Sequence, residues 1–208
     1  STDSSLKILK EYADKDSRIV ILTQENEYAG AARNKGISVA KGKYYVFWDS
    51  DDFFDLSTLE LEYLRLETTN ADICLCGADK FDMNTRVYQP MPWMLNLREV
   101  KNEPFSCMDV QDIFKVTGPS PWSKMFSAKF IHMHNLRFQN LQRANDLCFV
   151  FSALTLADRI VTIPNTCVHY RVGQSTNLQS GISASPDIAC KALLGLKERI
   201  KDEMPWPH

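Results

Sequence analysis

The sequence lacks the features that mark several large classes of protein. No apolar run approaches the ~20 residues that a membrane-spanning helix needs, and the start Ser1–Ser5 does not have the form of a signal peptide. There is no glycine-rich loop of the form GxxxxGK[ST], which argues against a P-loop phosphotransferase. The net charge is only −2 with both signs scattered, so we expect no nucleic-acid partner.

The cysteines also lack a functional pattern. The chain has 6 of them, without a CxxC pair or a Cys/His cluster of metal-ligand spacing, and most lie inside apolar runs. This usage is typical of reduced core residues in a cytoplasmic protein. With 208 residues, 44% of them hydrophobic, the chain is long enough to bury one core, so we expect one domain or one domain with an appendage.

A buried strand that ends in carboxylates is the most informative stretch. Residues 44–48 (YYVFW) are apolar or aromatic, and Asp49, Asp51 and Asp52 follow directly. In open α/β sheets ligands bind beyond the carboxyl ends of strands, where closely spaced carboxylates can share a divalent cation and, through it, a phosphate. The same residues also suit an acidic turn before a helix, so the spacing alone leaves both interpretations open.

The first 80 residues alternate between helix and strand. We predict a helix that begins at Asp3 or Ser4, and further helices over 29–41 and 57–68; the predicted strands are 18–23, 43–48 and 72–78. This rhythm predicts a mostly parallel, doubly wound sheet. Since a helix comes first, we expect that an initial strand is absent from this chain.

The rhythm changes after residue 80. Residues 81–105 predict hairpins or long loops, because prolines and asparagines interrupt the aromatic residues there. The later predicted helices cover 106–116, 127–134, 145–157 and a final segment from Ser185; the predicted strands are 159–163 and 166–171.

The order of these parts resembles the family 2 glycosyltransferases of the GT-A fold. The stretches that carry the resemblance are STDSS, GAARNKGISVAKGKYYVFWDSDD, WSKMF, NDLCF and HYRVGQST, and they cover nearly the whole chain. The resemblance implies an α/β, Rossmann-like, mostly parallel sheet flanked by helices, with a C-terminal acceptor-side subregion. Residues 1–80 would be the nucleotide-sugar-binding half, without its first strand, and residues 81–208 the acceptor-binding and catalytic-base half of the same domain.

The resemblance also assigns the donor side of the site. Asp49-Ser50-Asp51 would be a DXD motif that holds Mg²⁺ or Mn²⁺ through Asp51 and Asp49, with His169 as a further metal ligand. A structural packing role for His169 stays open, as does an ordinary ion pair for Arg33. The expected contacts to the nucleotide sugar are Asp3, Arg33, Asn34, Asp49 and Asp51.

The remaining site residues concern the acceptor. A metal-bound diphosphate leaves without a proton, so an inverting enzyme needs one general base. By resemblance this base is Asp146 in NDLCF, where Asn145 replaces the Glu of the family's Glu-Asp motif; helix capping by either residue is the alternative. Trp122 and Lys124 would line the acceptor side, although a Trp there is also suited to a buried anchor.

The implied activity is inverting transfer of a hexosyl type of sugar, as in polysaccharide biosynthesis. The partners would be a nucleotide-diphosphate sugar, in the first place a UDP-sugar, and a glycan or lipid-linked acceptor. The implied location is cytoplasmic, at the inner face of the membrane, with peripheral membrane association of the full-length protein. Two alternatives remain open, a non-catalytic nucleotide- or glycan-binding remnant and a metal-dependent nucleotidyl or phosphoryl transferase.

Overall fold

Helices cover both faces of one mixed sheet. The computed structural model describes residues 3–173 and 186–202. The helices are α1 (Ser5–Ala13), α2 (Tyr28–Val39), α3 (Thr58–Thr69), α4 (Ala128–Met133), α5 (Leu147–Leu156) and α6 (Pro186–Ile200). The strands are β1 (Tyr44–Val46), β2 (Phe53–Phe54), β3 (Ile73–Asp82), β4 (Tyr88–Pro90), β5 (Lys124–Ser127) and β6 (Ile160–Val172).

The strand order is β1-β5-β3-β6-β2, and β4 pairs with the far end of β3. The α/β class is therefore confirmed, but the prediction of a mostly parallel sheet is wrong for the described residues. β3 and β6 pair in parallel, whereas β5 runs antiparallel to both β1 and β3. One cause is β5, which the sequence did not predict and which inserts between two strands of common direction. In addition, β2 runs antiparallel to β6 and β4 runs antiparallel to β3. β1, β3 and β6 still share one direction, so their carboxyl ends point the same way.

An aromatic cluster fills the core on the α5 face of the sheet. Phe149 of α5 is fully buried and lies 5.4 Å, between ring centroids, from Phe47 and from Phe126, and 4.0 Å from Phe138. The helix is apolar nearly all round (LCFVFSALTL), which is typical of a helix buried on most of its surface. This cluster joins the strand that precedes the acidic residues to the helix that follows Asp146.

Two predicted elements are wrong. Residues 18–23 form no strand, and Val20 is 71% exposed, because a strand needs a neighbour to pair with and the described part of the chain offers none there. Residues 106–116 contain only a 3₁₀ turn at Ile113–Lys115. The Asp109 carboxylate accepts hydrogen bonds from the Ser106 backbone and hydroxyl at 2.8 and 2.7 Å, and such local bonds compete with a helix.

The two strands predicted at 159–163 and 166–171 form one strand, β6. Pro164 and Asn165 are accommodated in a bulge, because the register of β3 against β6 shifts on either side of Gly77. A Cβ at Gly77 would lie 3.0 Å from the Asn165 carbonyl oxygen, so glycine permits this close approach. The predicted helices over 29–41, 57–68, 127–134 and 145–157 are confirmed, with shifted ends. The final predicted helix is also confirmed, as α6, which is described from Pro186 onward. Ser185 lies outside the described residues.

Among the described helices, none is both long enough and apolar enough to cross a membrane.

Candidate active site

The acidic residues form a loop at the carboxyl end of β1. The loop returns along β2, whose Phe53 and Phe54 pair with His169 and Val168 of β6. At the base of the loop the rings of Trp48 and Phe54 stack with centroids 3.9 Å apart. This pairing and this stacking fix the residues on either side of the segment Asp49–Asp52, which we call the acidic loop.

Arg171 of β6 holds the backbone of the acidic loop. Its N–H donates to Asp52 Oδ1 at 3.0 Å, and its guanidinium donates to the carbonyl oxygens of Asp51 and of Ser50, the latter at 3.3 Å. These bonds leave the Asp51 carboxylate without a hydrogen bond to any residue in the ranges 3–173 and 186–202. The role of Arg171 depends on a pairing of distant segments that no local sequence pattern reveals.

Asp52 is the buried member of the acidic loop. Burial raises its pKa to about 6, with the charges of Asp51 and Asp49 acting in the same direction and the hydrogen bond from Arg171 opposing them. Its Oδ2 atom is buried and has no hydrogen-bond partner within the described residues. Asp52 is mostly ionised at neutral pH, so the acidic loop carries a buried oxygen that is free to bind a donor or a cation.

Arg33 of α2 joins the acidic loop to the segment before α5. Its Nη2 donates to Asp49 Oδ1 at 2.5 Å and its Nη1 to Asn145 Oδ1 at 3.0 Å. The guanidinium also lies over the Phe138 ring, 5.3 Å from its centroid, and only 14% of the side chain is exposed. The ion-pair alternative is therefore the geometry observed, and contact of Arg33 with a nucleotide stays a prediction.

Asn34 ties the same helix to the same segment. Its Nδ2 donates to the Phe138 carbonyl at 2.8 Å, and its Oδ1 accepts from the Phe138 N–H at 2.9 Å. Helix α2 and the segment before Asp146 approach closely at Gly30, where a Cβ would overlap the carbonyl oxygen of Gln139. The observed role of Asn34 is thus to position the chain that leads to Asp146, and a nucleotide contact stays a prediction.

Asp146 occupies the N-cap position of α5 without capping it. Its side chain makes no capping hydrogen bond, and Asn145 uses its amide on Arg33 and on the Leu141 carbonyl. Burial raises the pKa of the Asp146 carboxyl, while the charges of Arg33 and Lys124 lower it. A carboxylate with a raised pKa that is not engaged as a cap is suited to accept a proton.

His169 does not join Asp49 and Asp51 around one point. Its Nδ1 lies 2.8 Å from Asp79 Oδ1 and its Nε2 lies 3.2 Å from Asp55 Oδ1, so both ring nitrogens already face carboxylates. Burial lowers the pKa of His169, but the hydrogen bonds to these carboxylates outweigh burial and raise it overall. In the described chain no three His, Cys, Asp or Glu residues are grouped as a preformed metal site. The strand register explains why His169 is not near Asp49 and Asp51, because it pairs His169 with Phe53, which follows the acidic loop.

The predicted acceptor-side residues are both buried. Lys124 has no exposed surface, and its Nζ donates to the carbonyl oxygens of Gly118 and Ser120 at 2.9 and 2.8 Å. Trp122 is 6% exposed, and its ring is parallel to that of Tyr170 at 6.2 Å, as the buried-anchor alternative implies. Any effect of Lys124 on an acceptor must therefore pass through the turn that it holds.

Asp3 stands apart from these contacts. It is exposed at the start of α1, and its Oδ1 accepts a hydrogen bond from the Ser5 N–H at 3.0 Å. Its predicted contact with a nucleotide stays a prediction.

Known proteins resemble this chain over most of its length. The family model "Glycosyl transferase family 2" matches residues 1–146. A putative glycosyltransferase of Bacillus subtilis, EpsH, is 31% identical over 185 residues, which is 86% of this chain and 52% of the relative. A cholesterol galactosyltransferase of Borreliella burgdorferi is 30% identical over 172 residues, or 79% of this chain and 48% of the relative. The chain thus spans about half the length of these curated relatives.

Solved structures share the fold. S. aureus TarS 1–349 in complex with UDP-GlcNAc has a TM-score of 0.77 at 20% identity, covering 99% of this chain and 56% of that one. The complex of the same protein with UDP has a TM-score of 0.73, with 99% and 55% coverage. This likeness confirms the α/β GT-A fold. Because the family model matches more than half of the residues, the chain belongs to glycosyl transferase family 2.

Proposed function

We propose that this chain transfers a hexosyl residue from a UDP-sugar to a hydroxyl acceptor with inversion, and that Asp146 is the general base. The observation that carries the proposal is the bridge made by Arg33. One guanidinium binds Asp49 of the acidic loop and Asn145, the residue before Asp146. The proposed donor site and the proposed base are thereby held at a fixed relation, as a reaction between two bound molecules requires.

The proposed chemistry is a single displacement. Asp146 accepts the proton of the acceptor hydroxyl while that oxygen forms a bond to the anomeric carbon. The bond from the anomeric carbon to the diphosphate breaks, and its electron pair leaves with the nucleoside diphosphate. Because the two bonds lie on opposite faces of the carbon, the configuration inverts.

The acidic loop fits Mg²⁺ or Mn²⁺. Its oxygen ligands are the type that these hard cations prefer, and it offers the Asp51 carboxylate together with the buried Oδ2 of Asp52. Asp51 and Asp49 would hold the ion, and the diphosphate would complete its shell, since His169 is engaged with Asp79 and Asp55. Such an ion supplies positive charge to the diphosphate as the sugar leaves it.

The names of related proteins support the donor and acceptor classes. TarS has been solved with UDP and with UDP-GlcNAc, and relatives are called a cholesterol galactosyltransferase and a poly(ribitol-phosphate) beta-glucosyltransferase. We extend the proposal to a glycan or lipid-linked acceptor, to polysaccharide biosynthesis, and to action in the cytoplasm with peripheral membrane association.

Ligand-induced thermal stabilisation tests the donor site. UDP, GDP and CDP are each added with and without Mn²⁺, and UDP at ~100 times its Kd should raise the Tm by ~5–10 °C. Asp51→Asn should abolish the part that requires Mn²⁺, whereas Asp158→Asn, which changes an exposed carboxylate before β6, should not. Stabilisation by UDP that is the same in wild type and Asp51→Asn would contradict the proposed metal site.

Turnover tests the base. UDP release is measured with UDP-GlcNAc, UDP-glucose and UDP-galactose, and Asp146→Asn should reduce it at least a hundredfold while leaving UDP binding intact. Binding without turnover in the wild type would favour the non-catalytic alternative. Release of inorganic phosphate or UMP in place of UDP would favour the phosphoryl or nucleotidyl transferase.

A further inference from the structure

The chain that leaves the acidic loop has only a short strand to hold it. β2 consists of Phe53 and Phe54, so its ladder with β6 contains few hydrogen bonds. The backbone is held once more just after β2, where the Asp55 N–H donates to the Cys167 carbonyl at 3.0 Å. Ionised carboxylates within the loop repel one another as long as no cation lies between them. Side-chain contacts with the sheet are therefore needed to keep this chain in place.

His169 of β6 makes two such contacts. Its Nε2 lies 3.2 Å from Asp55 Oδ1. Its ring also stacks on Phe53, with the two ring centroids 4.7 Å apart. Phe53 and Asp55 are the first and third residues after the acidic loop, so a single imidazole contacts the chain at both positions.

β3 and β4 orient the His169 ring in turn. Asp79 and His169 are direct partners in the register of β3 against β6, and His169 Nδ1 lies 2.8 Å from Asp79 Oδ1. The ring of Tyr88 on β4 packs against the imidazole with the centroids 5.3 Å apart. The Asp79 side chain is 16% exposed and the Asp55 side chain 52%. The imidazole thus links a carboxyl group fixed within the sheet to one at the surface, on the chain that leaves the acidic loop.

The same strand holds the acidic loop itself. Arg171, two residues after His169, donates from its N–H to Asp52 Oδ1. Its guanidinium donates to the carbonyl oxygens of Asp51 and Ser50. Arg171 therefore contacts residues within the loop, and His169 contacts the residues that follow it. Together they set the position of the loop relative to β6.

We propose that His169 is a positioning residue for the bound cation and the diphosphate. Through Asp55 and Phe53 it holds the chain after the acidic loop, so that the carboxylates of the loop keep the geometry that a cation needs. Groups that orient the ligands of a metal ion typically change its affinity by about 10–100-fold. This inference rests on the proposed function, because it requires that the acidic loop binds Mg²⁺ or Mn²⁺ together with the nucleotide. It gives His169 a role in place of the direct metal ligation that the family resemblance implied.

Two conservative variants separate the two polar contacts of His169. The amide nitrogen of glutamine lies about where Nε2 stands, and that of asparagine about where Nδ1 stands. His169→Gln should therefore keep the contact with Asp55, whereas His169→Asn should lose it and keep the contact with Asp79. The Kd of UDP is measured by isothermal titration calorimetry with and without Mn²⁺, well below the Tm of each variant. The Kd without Mn²⁺ divided by the Kd with Mn²⁺, which we call the Mn²⁺ ratio, reports the contribution of the cation.

The Mn²⁺ ratio should be ~10 times smaller in His169→Asn than in the wild type, and His169→Gln should restore most of it. Equal ratios in the wild type and His169→Asn would overturn the proposal. An equal fall in both variants would overturn it too, because the contact with Asp55 would then have no part in the effect. A lower Tm with an unchanged ratio would show a merely structural role of His169, which also contradicts the proposal.

A double-mutant cycle tests whether His169 acts through Asp55. Asp55→Ala removes a half-exposed carboxyl group and should by itself lower the Mn²⁺ ratio ~10-fold. Combining it with His169→Asn should lower the ratio no further, because both substitutions remove the same contact. A ~100-fold fall in the double variant would mean that the two residues act independently, against the proposal. Asp158→Ala, which removes an exposed carboxyl group before β6, should keep the wild-type ratio.

The outcomes separate this inference from the proposed function. If Mn²⁺ does not strengthen UDP binding in the wild type, the proposed metal site fails, and the role of His169 fails with it. If Mn²⁺ strengthens binding and Asp51→Asn abolishes this effect, but His169→Asn leaves it unchanged, only the proposal for His169 fails. If His169→Asn does not fold, Asp55→Ala decides, since an unchanged Mn²⁺ ratio in that variant overturns the proposal.

Discussion

Replacing Glu62 by glutamine should make the protein more stable, and increasingly so as the pH rises. Glu62 lies on α3 with 1% of its surface exposed, and its Oε1 has no hydrogen-bond partner among the described residues. Burial raises its pKa from 4.5 to about 8, with the Cys167 charge acting in the same direction and a hydrogen bond from Cys76 opposing it. Glutamine has nearly the same shape and cannot ionise.

The magnitude follows from the difference between the folded and unfolded pKa values. Between pH 4.5 and pH 8 the unfolded chain releases the Glu62 proton and the folded chain retains it, so the free energy of unfolding falls as the pH rises. At ~1.4 kcal/mol per pKa unit, the loss is ~1 kcal/mol at pH 5 and ~4 kcal/mol at pH 8. Glu62→Gln removes this loss, so its advantage over wild type should grow by ~3 kcal/mol across that range.

Urea denaturation of both proteins at pH 5, 6, 7 and 8 measures the effect. Glu60→Gln is the matched control, because Glu60 lies on the exposed side of the same helix, and we expect it to change stability by less than ~0.5 kcal/mol at every pH. A difference between Glu62→Gln and wild type that does not depend on pH would refute the reasoning.

Two further substitutions test the contact between α2 and the segment before Asp146. Gly30→Ala should destabilise the protein by ~1–3 kcal/mol, because the added Cβ would overlap the Gln139 carbonyl oxygen. Gly36→Ala in the same helix has open space around it and should stabilise the protein by ~0.5–1 kcal/mol. Equal effects of the two substitutions in urea denaturation would contradict this reasoning. Asn145→Asp adds a negative charge next to Asp146, so the acidic limb of the kcat/KM profile for UDP release should move upward by ~1 pH unit. A downward shift would exclude Asp146 as the group whose titration sets this limb.

Local sequence patterns predicted the elements that have a strongly apolar or strongly acidic composition. Helix α5 is apolar nearly throughout, and the acidic loop follows directly on a buried strand, so both were evident in the sequence. The roles of individual side chains were less predictable. His169 faces Asp79 and Asp55 because of the strand register, and a register is set by the whole sheet and not by the residues around one position.

Strand β5 shows the same limit. The segment PWSKMF has too few residues to display a period, and its strand form depends on β1 and β3 on either side. The family resemblance placed Lys124 on the acceptor side, whereas the sheet buries its side chain completely. The unpaired stretch 18–23 is the converse case, since it has a strand-like sequence and no neighbouring strand among the described residues.

The strand order also determines when the sheet can assemble during synthesis. Across β1-β5-β3-β6-β2, strands that are made early alternate with strands that are made late. When the ribosome has completed β3 and β4, that hairpin can form, but β1 and β2 still lack the neighbours that they have in the sheet. Their apolar edges must remain unpaired until residues 124–127 and 160–172 emerge. We therefore expect the nascent chain to depend on chaperones over this interval and to form the acidic loop last, when β6 pairs with β2.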